Sequence, residues 1–516
     1  MPTLTRSAKS RKGPAISAPY SELCALLRDA STLGSIDALL NWDQETYMPP
    51  SGGAHRADQQ AMLSALVHQK KTERRVGDLI SACETDQGVQ RDEAAAANVR
   101  AMRRDYNHAT KIPTSLVAEL ARTQSQSQEV WKLARADNDF KKFRPWLEKI
   151  IELMRRKAQC LGNPPSGELY DNLLDIYEPG MTASAIEEIF TPLRPRLTDL
   201  VARLTAAKAK PNTKLTELNL SPAAQQVLAH DILDAMGFDL AAGRLDVTTH
   251  PFCSQLGPSD VRLTTRYTSP SFLEPISSTM HEAGHGLYDQ GLPAASYGTP
   301  LSEAVSLGIH ESQSRMWENF VGRSLPFWKW CTPIAKKRFG KTLTATPEQM
   351  YGAANVVRRS FIRVEADEAT YNLHVMLRFE IERDLISGSL SARDLPGAWN
   401  ALFKDYLGLK VPSDAQGCMQ DVHWSFGLMG YFPTYTLGNL YAAQFWEKIN
   451  RDITDLDKRM ARGDFAELLA WLRRNIHRHG RRYEAHELCR RITGKPLSPE
   501  PLMRHLEGKL GALYGI

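Results

Sequence analysis

Residues 271–293 read SFLEPISSTMHEAGHGLYDQGLP and have the pattern of one long α-helix. Pro275 lies near the expected first turn, where proline is tolerated, and the Gly-Leu-Pro of 291–293 supplies a stop. Within this segment His281 and His285 are four residues apart, so both imidazoles lie on one helix face and can reach one metal ion. The segment therefore predicts a metal site carried by a helix.

The residue that follows the first histidine adds a chemical function. Residues 281–285 match the pattern HExxH, in which Glu282 can lean toward a water molecule at the metal and act as a general base. A match this short also occurs by chance. Catalytic zinc takes three protein ligands and keeps a fourth position open for water, so a third ligand is the sharper test of the site.

Candidates for the third ligand lie on the next predicted helix. Ser302–Asn319 has a helical pattern, with Ser302 as the expected N-cap. An antiparallel return of this helix would bring Glu311 beside the two histidines. Its neighbour His310 is the alternative, and because adjacent helix residues point about 100° apart, only one of them can face the metal. The spacing favours Glu311 and leaves His310 open.

Apolar residues recur every three or four positions through most of the chain from Tyr20 onward. The alternation typical of strands is clearest in Arg244–Thr249 and Asp260–Tyr267, which lie close together and could pair. We therefore predict a mostly α fold with one small β element. The main predicted helices are Ser21–Trp42, Asp58–Cys83, Asp92–Tyr106, Pro145–Gly162, Asn355–Ile386, Leu437–Ile449 and Phe465–His477.

The composition of the 516-residue chain is that of an ordinary globular protein, with 42% hydrophobic and 24% charged residues. It excludes a mainly disordered chain, and no window approaches the ~20 apolar residues that span a bilayer. The net charge of +5 is too dilute to indicate a nucleic-acid partner. The seven cysteines are scattered without CxxC spacing, so we expect free thiols, a reducing compartment and a cytoplasmic protein.

The N-terminal residues 1–19 have a separate character. They carry four basic residues between Arg6 and Lys12 and no acidic residue. The segment lacks the apolar run of a secretory signal, and its weak amphipathic pattern argues against a transit peptide, which stays the alternative. We predict a disordered basic tail over 1–19, followed by a single helical domain over 20–516.

Six short motifs follow one another along residues 250–424. They are HPF (250–252), DxRxT (260–264), HEAGH (281–285), HESQ (310–313), IRxxAD (362–367) and GxxQDxHW (417–424). Through these motifs the chain resembles the carboxypeptidase Taq family of zinc metallocarboxypeptidases, in which they occur in the same order. The resemblance shows no departure at the metal or base positions and extends from about Tyr20 to the end.

This resemblance implies a neurolysin-like fold, which is a large, two-lobed, mostly helical peptidase with a deep active-site groove. It implies release of single residues from peptide C-termini, with broad specificity and poor cleavage next to proline. It makes Glu311 the third ligand beside His281 and His285, for one Zn²⁺ per chain that Co²⁺ can replace. Homodimers are usual in the family, so we expect a homodimer that acts on peptides with a free C-terminus.

The resemblance also suggests which side chains stabilise the oxyanion of the tetrahedral intermediate. His423, Tyr431 and Tyr435 are the candidate hydrogen-bond donors, and such a donor is worth roughly 3 kcal/mol. Each has a plainer alternative. His423 can be a buried histidine that supports its motif beside Trp424, and the tyrosines can be aromatic residues of the groove wall.

An exopeptidase must also hold the terminal carboxylate of its substrate, and a guanidinium does so with two parallel hydrogen bonds. Arg358, Arg359 and Arg363 lie on one predicted helix. We favour Arg363 together with Arg358 as the carboxylate anchors. The alternatives are a solvated helix face, or an internal pair of Arg363 with Glu365 or Asp367.

Our leading hypothesis is therefore a zinc carboxypeptidase that acts on unstructured peptides. An oligoendopeptidase with the same zinc site is the alternative among enzymes, and a cation that closes one end of the groove would separate the two. A catalytically silent peptide-binding scaffold is the alternative outside enzymes. The presence of all three candidate ligands together with Glu282 argues against such a scaffold.

Overall fold

The structure is a computed structural model that describes residues 17–214, 217–218, 220–267 and 271–516. Helices dominate these residues, as the apolar periodicity predicts, and no helix there is long and apolar enough to cross a membrane. The α-helices that precede the sheet are α1 (Ala18–Thr46), α2 (Gly53–Thr72), α3 (Arg74–Thr85), α4 (Gln87–Arg91), α5 (Glu93–Lys111), α6 (Thr114–Ala136), α7 (Phe140–Leu161), α8 (Tyr170–Leu174), α9 (Ala183–Ala206) and α10 (Pro222–Met236).

The α-helices that follow the sheet carry the predicted site residues His281, Glu282, His285, Glu311 and Tyr435, whereas the other four lie between α-helices. They are α11 (Leu273–Gly291), α12 (Leu307–Arg315), α13 (Leu325–Phe339), α14 (Pro347–Ala354), α15 (Tyr371–Ser387), α16 (Leu395–Leu407), α17 (Pro433–Asp452), α18 (Leu456–Met460), α19 (Ala466–Asn475), α20 (Ala485–Thr493) and α21 (Glu500–Tyr514).

The first helix, α1, begins a few residues earlier than the sequence predicts. Residues 1–16 of the predicted basic tail lie outside the described residues. The hydroxyl of Ser17 accepts the backbone N–H of Tyr20 at 3.5 Å and caps α1, which begins at Ala18. The last three residues that we assigned to the tail therefore cap and begin the first helix.

The helix α7 shows how the apolar pattern becomes packing. Phe143, Leu147, Ile150 and Met154 follow one another at intervals of three or four residues, and all are buried in the larger apolar core. Asp139 caps this helix by accepting the backbone N–H of Lys141 at 3.1 Å. The helix is thus amphipathic, with Lys141, Glu148 and Glu152 exposed on its other side.

A three-stranded sheet precedes α11. Its strands are β1 (Gly243–Val247), β2 (Cys253–Gly257) and β3 (Asp260–Thr265), in the order β1-β3-β2. The two predicted strand segments do pair, as parallel neighbours with Leu245 opposite Leu263. The pattern missed β2, which is antiparallel to β3 and contains a register shift between Gln255 and Gly257. The predicted mostly α fold with a small β element is confirmed.

The predicted helix Asn355–Ile386 is wrong in its first half. Residues 355–370 form an irregular segment with one 3₁₀ turn, Arg363–Glu365, and only α15 is helical. Side chains bind this backbone instead of a helical ladder, because the carboxylate of Asp367 accepts the N–H groups of Arg358, Ala369 and Thr370 at 2.9–3.1 Å. We call residues 355–370 the arginine segment.

The expected N-cap of the helix that carries Glu311 is also wrong. Ser302 ends a short 3₁₀ turn, Pro300–Ser302, and α12 begins only at Leu307. Its cap is Ser306, whose hydroxyl accepts the N–H of Ile309 at 3.0 Å. The helix ends earlier than predicted as well, because a π-helical turn over Met316–Val321 follows it.

The described apolar residues form two clusters. The smaller one is made by α1 and α3 to α5, and contains Leu23, Ile80 and Val99. The larger one extends through α6 to α21 and the sheet. In this larger core α11 packs against the sheet on one side and against α12 on the other, and α12 packs in turn against α17. This stack of helices positions the candidate site.

Candidate metal centre

Three side chains from two helices converge in the larger core. They are His281 and His285 on α11 and Glu311 on α12, and their ligand atoms all lie within 4.8 Å of one another. Glu311 Oε2 is 3.7 Å from His281 Nε2 and 3.5 Å from His285 Nε2. We call these three residues the ligand cluster. The structure thus brings together the three residues that the sequence singles out as ligands.

Two glycines allow the helices to approach closely at the ligand cluster. A Cβ atom on Gly284, inside HEAGH, would lie 2.6 Å from the carbonyl oxygen of Gln313 and 2.6 Å from Cα of Ser314. A Cβ atom on Gly438 of α17 would lie 2.6 Å from Cγ of Glu311. Because no side chain fits at such distances, glycine at both positions lets α12 lie this close to α11 and α17.

A buried carboxylate fixes the beginning of α12. Glu178 accepts the backbone N–H of Gly308 at 2.9 Å and the hydroxyl hydrogen of Tyr441 at 3.2 Å. Burial raises the pKa of Glu178 to about 7. Negative charge is favourable at a helix N-terminus, so Glu178 and the Ser306 cap together hold the turn that precedes Glu311.

A second carboxylate and a guanidinium surround the ligand cluster. His281 Nδ1 donates to Glu318 Oε2 at 2.9 Å, which leaves Nε2 directed at the cluster. Arg315 donates from Nε to Glu311 Oε1 at 2.7 Å and from Nη1 to Glu318 Oε2 at 3.0 Å. Burial opposes the ionisation of both carboxyls, but Arg315 holds the pKa of each well below its usual range. Both are therefore negative at neutral pH, which favours a bound cation.

His310, the alternative third ligand, has a different environment. Its Nε2 lies 3.2 Å from Asp289 Oδ1, and its ring stacks on that of His285 with centroids 4.3 Å apart. The structure therefore groups a ligand atom of Glu311, and not one of His310, with those of the two histidines. The stacking restricts the ring of His285, whose Nδ1 has no hydrogen-bond partner among the described residues.

Glu282 lies on α11 beside the ligand cluster and is only 7% exposed. Burial raises the pKa of its carboxyl to about 7, although the charge of His281 opposes the shift. A carboxyl of this pKa can take up and release a proton near neutral pH. This environment suits the predicted role of a general base.

The three predicted oxyanion donors form one aromatic group. His423 begins a 3₁₀ turn, and Tyr435 lies in the first turn of α17. His423 Nε2 is 3.2 Å from the hydroxyl oxygen of Tyr435, and the rings of Tyr431 and Tyr435 are 5.4 Å apart. The structure thus brings together side chains that are up to twelve residues apart in the sequence.

Burial sets the protonation of this aromatic group. Burial, and then the charge of Glu311, raises the pKa of Tyr431, and burial raises that of Tyr435 well above its ordinary value. Burial, reinforced by Arg363, lowers the pKa of His423 to about 3. At neutral pH the histidine is therefore uncharged and both phenols keep the proton that a hydrogen-bond donor needs.

Arg363 is buried, and its side chain is bound on three sides. Its Nε and Nη2 both lie 3.0 Å from Asp421 Oδ1, and its Nη1 donates to the hydroxyl of Tyr371 at 2.8 Å. Its backbone N–H donates to Gln420 at 2.8 Å. Asp421 also accepts Arg378 Nε on Oδ2 at 2.7 Å. The IRxxAD and GxxQDxHW motifs thus bind each other directly.

Two expectations about the arginines need correction. Arg363 does form an internal pair, but its partner is Asp421 and not Glu365 or Asp367. Arg358 and Arg363 do not lie on one helix, because the arginine segment is irregular there. Arg358 is exposed, and its side chain forms no hydrogen bond or ion pair with the residues that the structure describes.

Four polar residues around the site were missed by the sequence reasoning. Arg315 and Glu318 follow Glu311 at intervals of four and seven residues, so a helix face alone could have indicated them. Asp421 lies inside the quoted GxxQDxHW motif, where no role was assigned to it. Tyr371 carried no comparable signal, because its contacts with Arg315 and Tyr435 join parts of the chain that are far apart in sequence.

The donor set fits a divalent metal. Two imidazoles and one carboxylate are the protein ligands of many catalytic zinc sites, in which the fourth position stays open. A carboxylate bound to the far nitrogen of a ligating histidine is the usual support of such sites, and Glu318 occupies that place. A helical fold with this donor set and a buried glutamate beside it defines a metallopeptidase.

Comparisons with known proteins narrow the class. Residues 22–510 match the family model described as Carboxypeptidase Taq (M32) metallopeptidase. Thermostable carboxypeptidase 1 of Thermus thermophilus is 45% identical over 506 residues, which cover 96% of this chain and 99% of that protein. The protein of the same name from Pyrococcus furiosus is 38% identical, covering 95% of this chain and 97% of its own.

Solved structures agree with the sequence comparisons. The crystal structure of the M32 carboxypeptidase from Deinococcus radiodurans superposes with a TM-score of 0.93 at 40% identity, covering 97% of this chain and 100% of the other. Metallocarboxypeptidase 1 of Trypanosoma cruzi gives a TM-score of 0.90 at 36% identity, with coverages of 95% and 99%. The chain belongs to the carboxypeptidase Taq (M32) family, and it is a metallocarboxypeptidase.

Proposed function

We propose that this protein is a zinc-dependent carboxypeptidase that releases single amino acids from the C-terminus of peptides. The observation that carries the proposal is the convergence of His281, His285 and Glu311 within 4.8 Å, with the buried Glu282 beside them. Broad side-chain specificity and poor cleavage next to proline follow from the family resemblance and are part of the proposal.

One metal ion per chain is proposed, held by the ligand cluster. Among the described residues, this cluster is the one group of three or more metal-binding side chains that come close enough together. Two histidines and a glutamate favour Zn²⁺, and Co²⁺ can take its place. When bound, the ion supplies a Lewis acid that polarises the peptide carbonyl and makes water more acidic.

Glu282 moves the protons of the reaction in this proposal. Its carboxylate takes a proton from the attacking water and later delivers it to the nitrogen of the leaving amino acid. The pKa of about 7 that burial gives this carboxyl suits both transfers. Glu282 lies on α11 between His281 and His285, beside the ligand cluster.

The aromatic group supplies hydrogen bonds to the developing oxyanion. Tyr431 and Tyr435 keep their protons because burial raises the pKa of both. His423 is uncharged and touches the hydroxyl of Tyr435. A donor that is held in place before the reaction costs no reorganisation when charge develops, so this preformed group supports the catalytic role of all three residues.

The arginine segment supplies the cations for the terminal carboxylate. Asp421 and Tyr371 hold the guanidinium of Arg363 in one orientation, which lowers the entropy lost when a substrate binds. Arg358 is exposed and its side chain is free to turn toward the same carboxylate. We propose that Arg363 orients the carboxylate and that Arg358 adds charge at its outer side.

Further parts of the proposal rest on the resemblance and on chain-wide features. All seven cysteines are free thiols in the structure, which supports a reducing compartment such as the cytoplasm. A homodimer is proposed from the resemblance. Residues 20–516 are proposed to act as a single domain, with the basic tail outside it.

The test is the digestion of a blocked dipeptide and of the same peptide with an amidated C-terminus. We expect the zinc-loaded protein to release the last residue only from the free acid. Glu282→Gln should abolish this release while zinc binding is retained, and the exposed Glu348→Gln is the matched control with full activity. Equal cleavage of the amide would contradict the carboxylate-anchor role and favour an endopeptidase.

A further inference from the structure

Tyr371 is the first residue of α15 and touches both halves of the proposed site. It is 6% exposed. Its ring lies against Arg315, which binds a residue of the ligand cluster, and its hydroxyl binds Arg363, which belongs to the arginine segment. Among the residues discussed above, it is the side chain in direct contact with both of these arginines.

The contact with Arg315 reaches the ligand cluster. The centre of the Arg315 guanidinium lies 4.4 Å from the centroid of the Tyr371 ring, which is the geometry of a cation–π interaction. The same guanidinium donates to Glu311 at 2.7 Å and to Glu318 at 3.0 Å. The ring of Tyr371 therefore packs against Arg315, the cation that orients the carboxylate of Glu311.

The contact with Arg363 reaches the carboxylate anchor. The hydroxyl of Tyr371 accepts Arg363 Nη1 at 2.8 Å, while Asp421 takes Nε and Nη2 on the other side. Removing the hydroxyl would leave one edge of the guanidinium unheld. A rotation of the planar fork would then spoil its two-point fit to a carboxylate.

A third contact connects Tyr371 to the aromatic group. Its ring meets that of Tyr435 edge to face, with centroids 6.1 Å apart. A tyrosine is suited to this place because its face attracts a cation while its hydroxyl accepts a hydrogen bond from another. Phenylalanine would supply the face alone, so the two functions can be separated by substitution.

We propose that Tyr371 is a positioning residue that couples the ligand cluster to the carboxylate anchor. Its ring holds Arg315, and through it Glu311, while its hydroxyl holds Arg363. This inference rests on the proposed roles of Glu311 and Arg363. It predicts that the two effects of Tyr371 can be removed one at a time.

The experiment compares Tyr371→Phe with Tyr371→Leu in the full-length, zinc-loaded protein. Tyr371→Phe should raise KM for the free-acid dipeptide about tenfold, as expected for a lost hydrogen bond to a charged group, with the zinc Kd unchanged. Tyr371→Leu should show the same rise in KM and, in addition, a zinc Kd weakened about fivefold in competition with a chromophoric chelator.

A matched control is available in α16. Tyr406 also has an arginine over its ring, with Arg194 at 4.8 Å, and its hydroxyl accepts Arg194 Nη1 at 2.8 Å. It makes no contact with the site residues named here. Tyr406→Phe should therefore leave both KM and the zinc Kd unchanged, and urea unfolding of all three variants reports any general loss of stability.

Two outcomes would overturn the coupling alone. One is an unchanged KM in Tyr371→Phe while Arg363→Lys raises KM, which shows that the anchor matters but the hydroxyl does not. The other is an equal zinc Kd in Tyr371→Leu and Tyr371→Phe, which shows that the ring does not support the ligand cluster. If Arg363→Lys itself leaves KM unchanged, the proposed carboxylate role fails and the coupling fails with it.

Discussion

The ligand cluster and the arginine segment both bring charged side chains into the interior, but they hold them differently. The ligand cluster lies on two regular helices, and its spacing along each helix directs the side chains. The arginine segment has almost no regular structure, and its main buried cation, Arg363, is held by Gln420, Asp421 and Tyr371. One region is organised by secondary structure and the other by contacts with distant residues.

This difference leads to different sensitivities. A substitution in the ligand cluster should change metal affinity with little effect on substrate affinity. A substitution around Arg363 should change substrate affinity and stability with little effect on metal affinity, because it removes a buried ion pair. Variants in each region therefore test whether metal affinity and substrate affinity are independent of each other, apart from the proposed coupling through Tyr371.

The largest effect is expected from removing a ligand. His285→Ala should weaken zinc binding more than a hundredfold, if each ligand contributes roughly 3 kcal/mol of a total binding energy of roughly 10–16 kcal/mol. Chelator competition measures the affinity, and the exposed His55→Ala is the control. Retention of tight zinc binding by His285→Ala would exclude this residue as a ligand.

The arginine segment should respond most strongly to Asp421→Asn. Burial opposes ionisation of Asp421, but Arg378 and Arg363 hold its pKa well below 3.8. Removing its charge leaves two buried guanidinium groups unpaired, which should lower the free energy of unfolding by about 3 kcal/mol at pH 7. Zinc affinity should stay unchanged, and urea unfolding with chelator competition checks both statements.

The pH dependence of this loss can be predicted in sign. Since the pKa of Asp421 is depressed in the folded protein, its stabilisation is present above the ordinary pKa of 3.8 and is lost as the pH falls below it. The difference in unfolding free energy between the wild type and Asp421→Asn should therefore shrink below about pH 4. A difference that grows in acid would contradict the ion-pair assignment.

A smaller effect on metal binding is expected from Glu318→Gln. The amide keeps the shape of the side chain but replaces the anionic acceptor of His281 Nδ1, which should weaken zinc binding about tenfold. Glu348→Gln again serves as the exposed control. An unchanged KM for the free-acid dipeptide at saturating zinc would support the independence of the two regions. A large rise in KM would contradict it.

The smallest effect is expected from Arg358→Ala. Its side chain is exposed, so it contributes about 1 kcal/mol to binding a carboxylate. We expect KM for the free-acid dipeptide to rise about fivefold, with kcat, zinc affinity and stability unchanged. An unchanged KM would leave Arg363 as the cation that holds the substrate.

The sequence predicted which side chains converge in the ligand cluster, because that information is local. The four-residue spacing of His281 and His285 needs only a helix to place both rings on one face. Spacing favours Glu311 over His310 but leaves both open, since the two residues belong to one turn. Packing decided between them, because Gly284 and Gly438 let α12 approach with Glu311 toward the histidines and His310 toward Asp289.

The arginine segment shows where local reasoning failed. Apolar periodicity predicted a helix through Arg358, Arg359 and Arg363, but the backbone there is bound by side chains. Asp367 takes three N–H groups close to it in the chain, and Gln420 takes another from more than fifty residues away. A helical ladder cannot form where its hydrogen-bonding groups already have other partners.

The sequence by itself determined the helical class, the presence of a small β element and the helix that carries His281 and His285, because each of these follows from periodic spacing over a few residues. The tertiary structure alone decided that Asp421 is the partner of Arg363 and that Glu318 accepts a hydrogen bond from His281. It alone also decided that Tyr371 contacts both Arg315 and Arg363. The physical reason is that a buried charge requires a partner, and which partner is within reach depends on how distant segments pack.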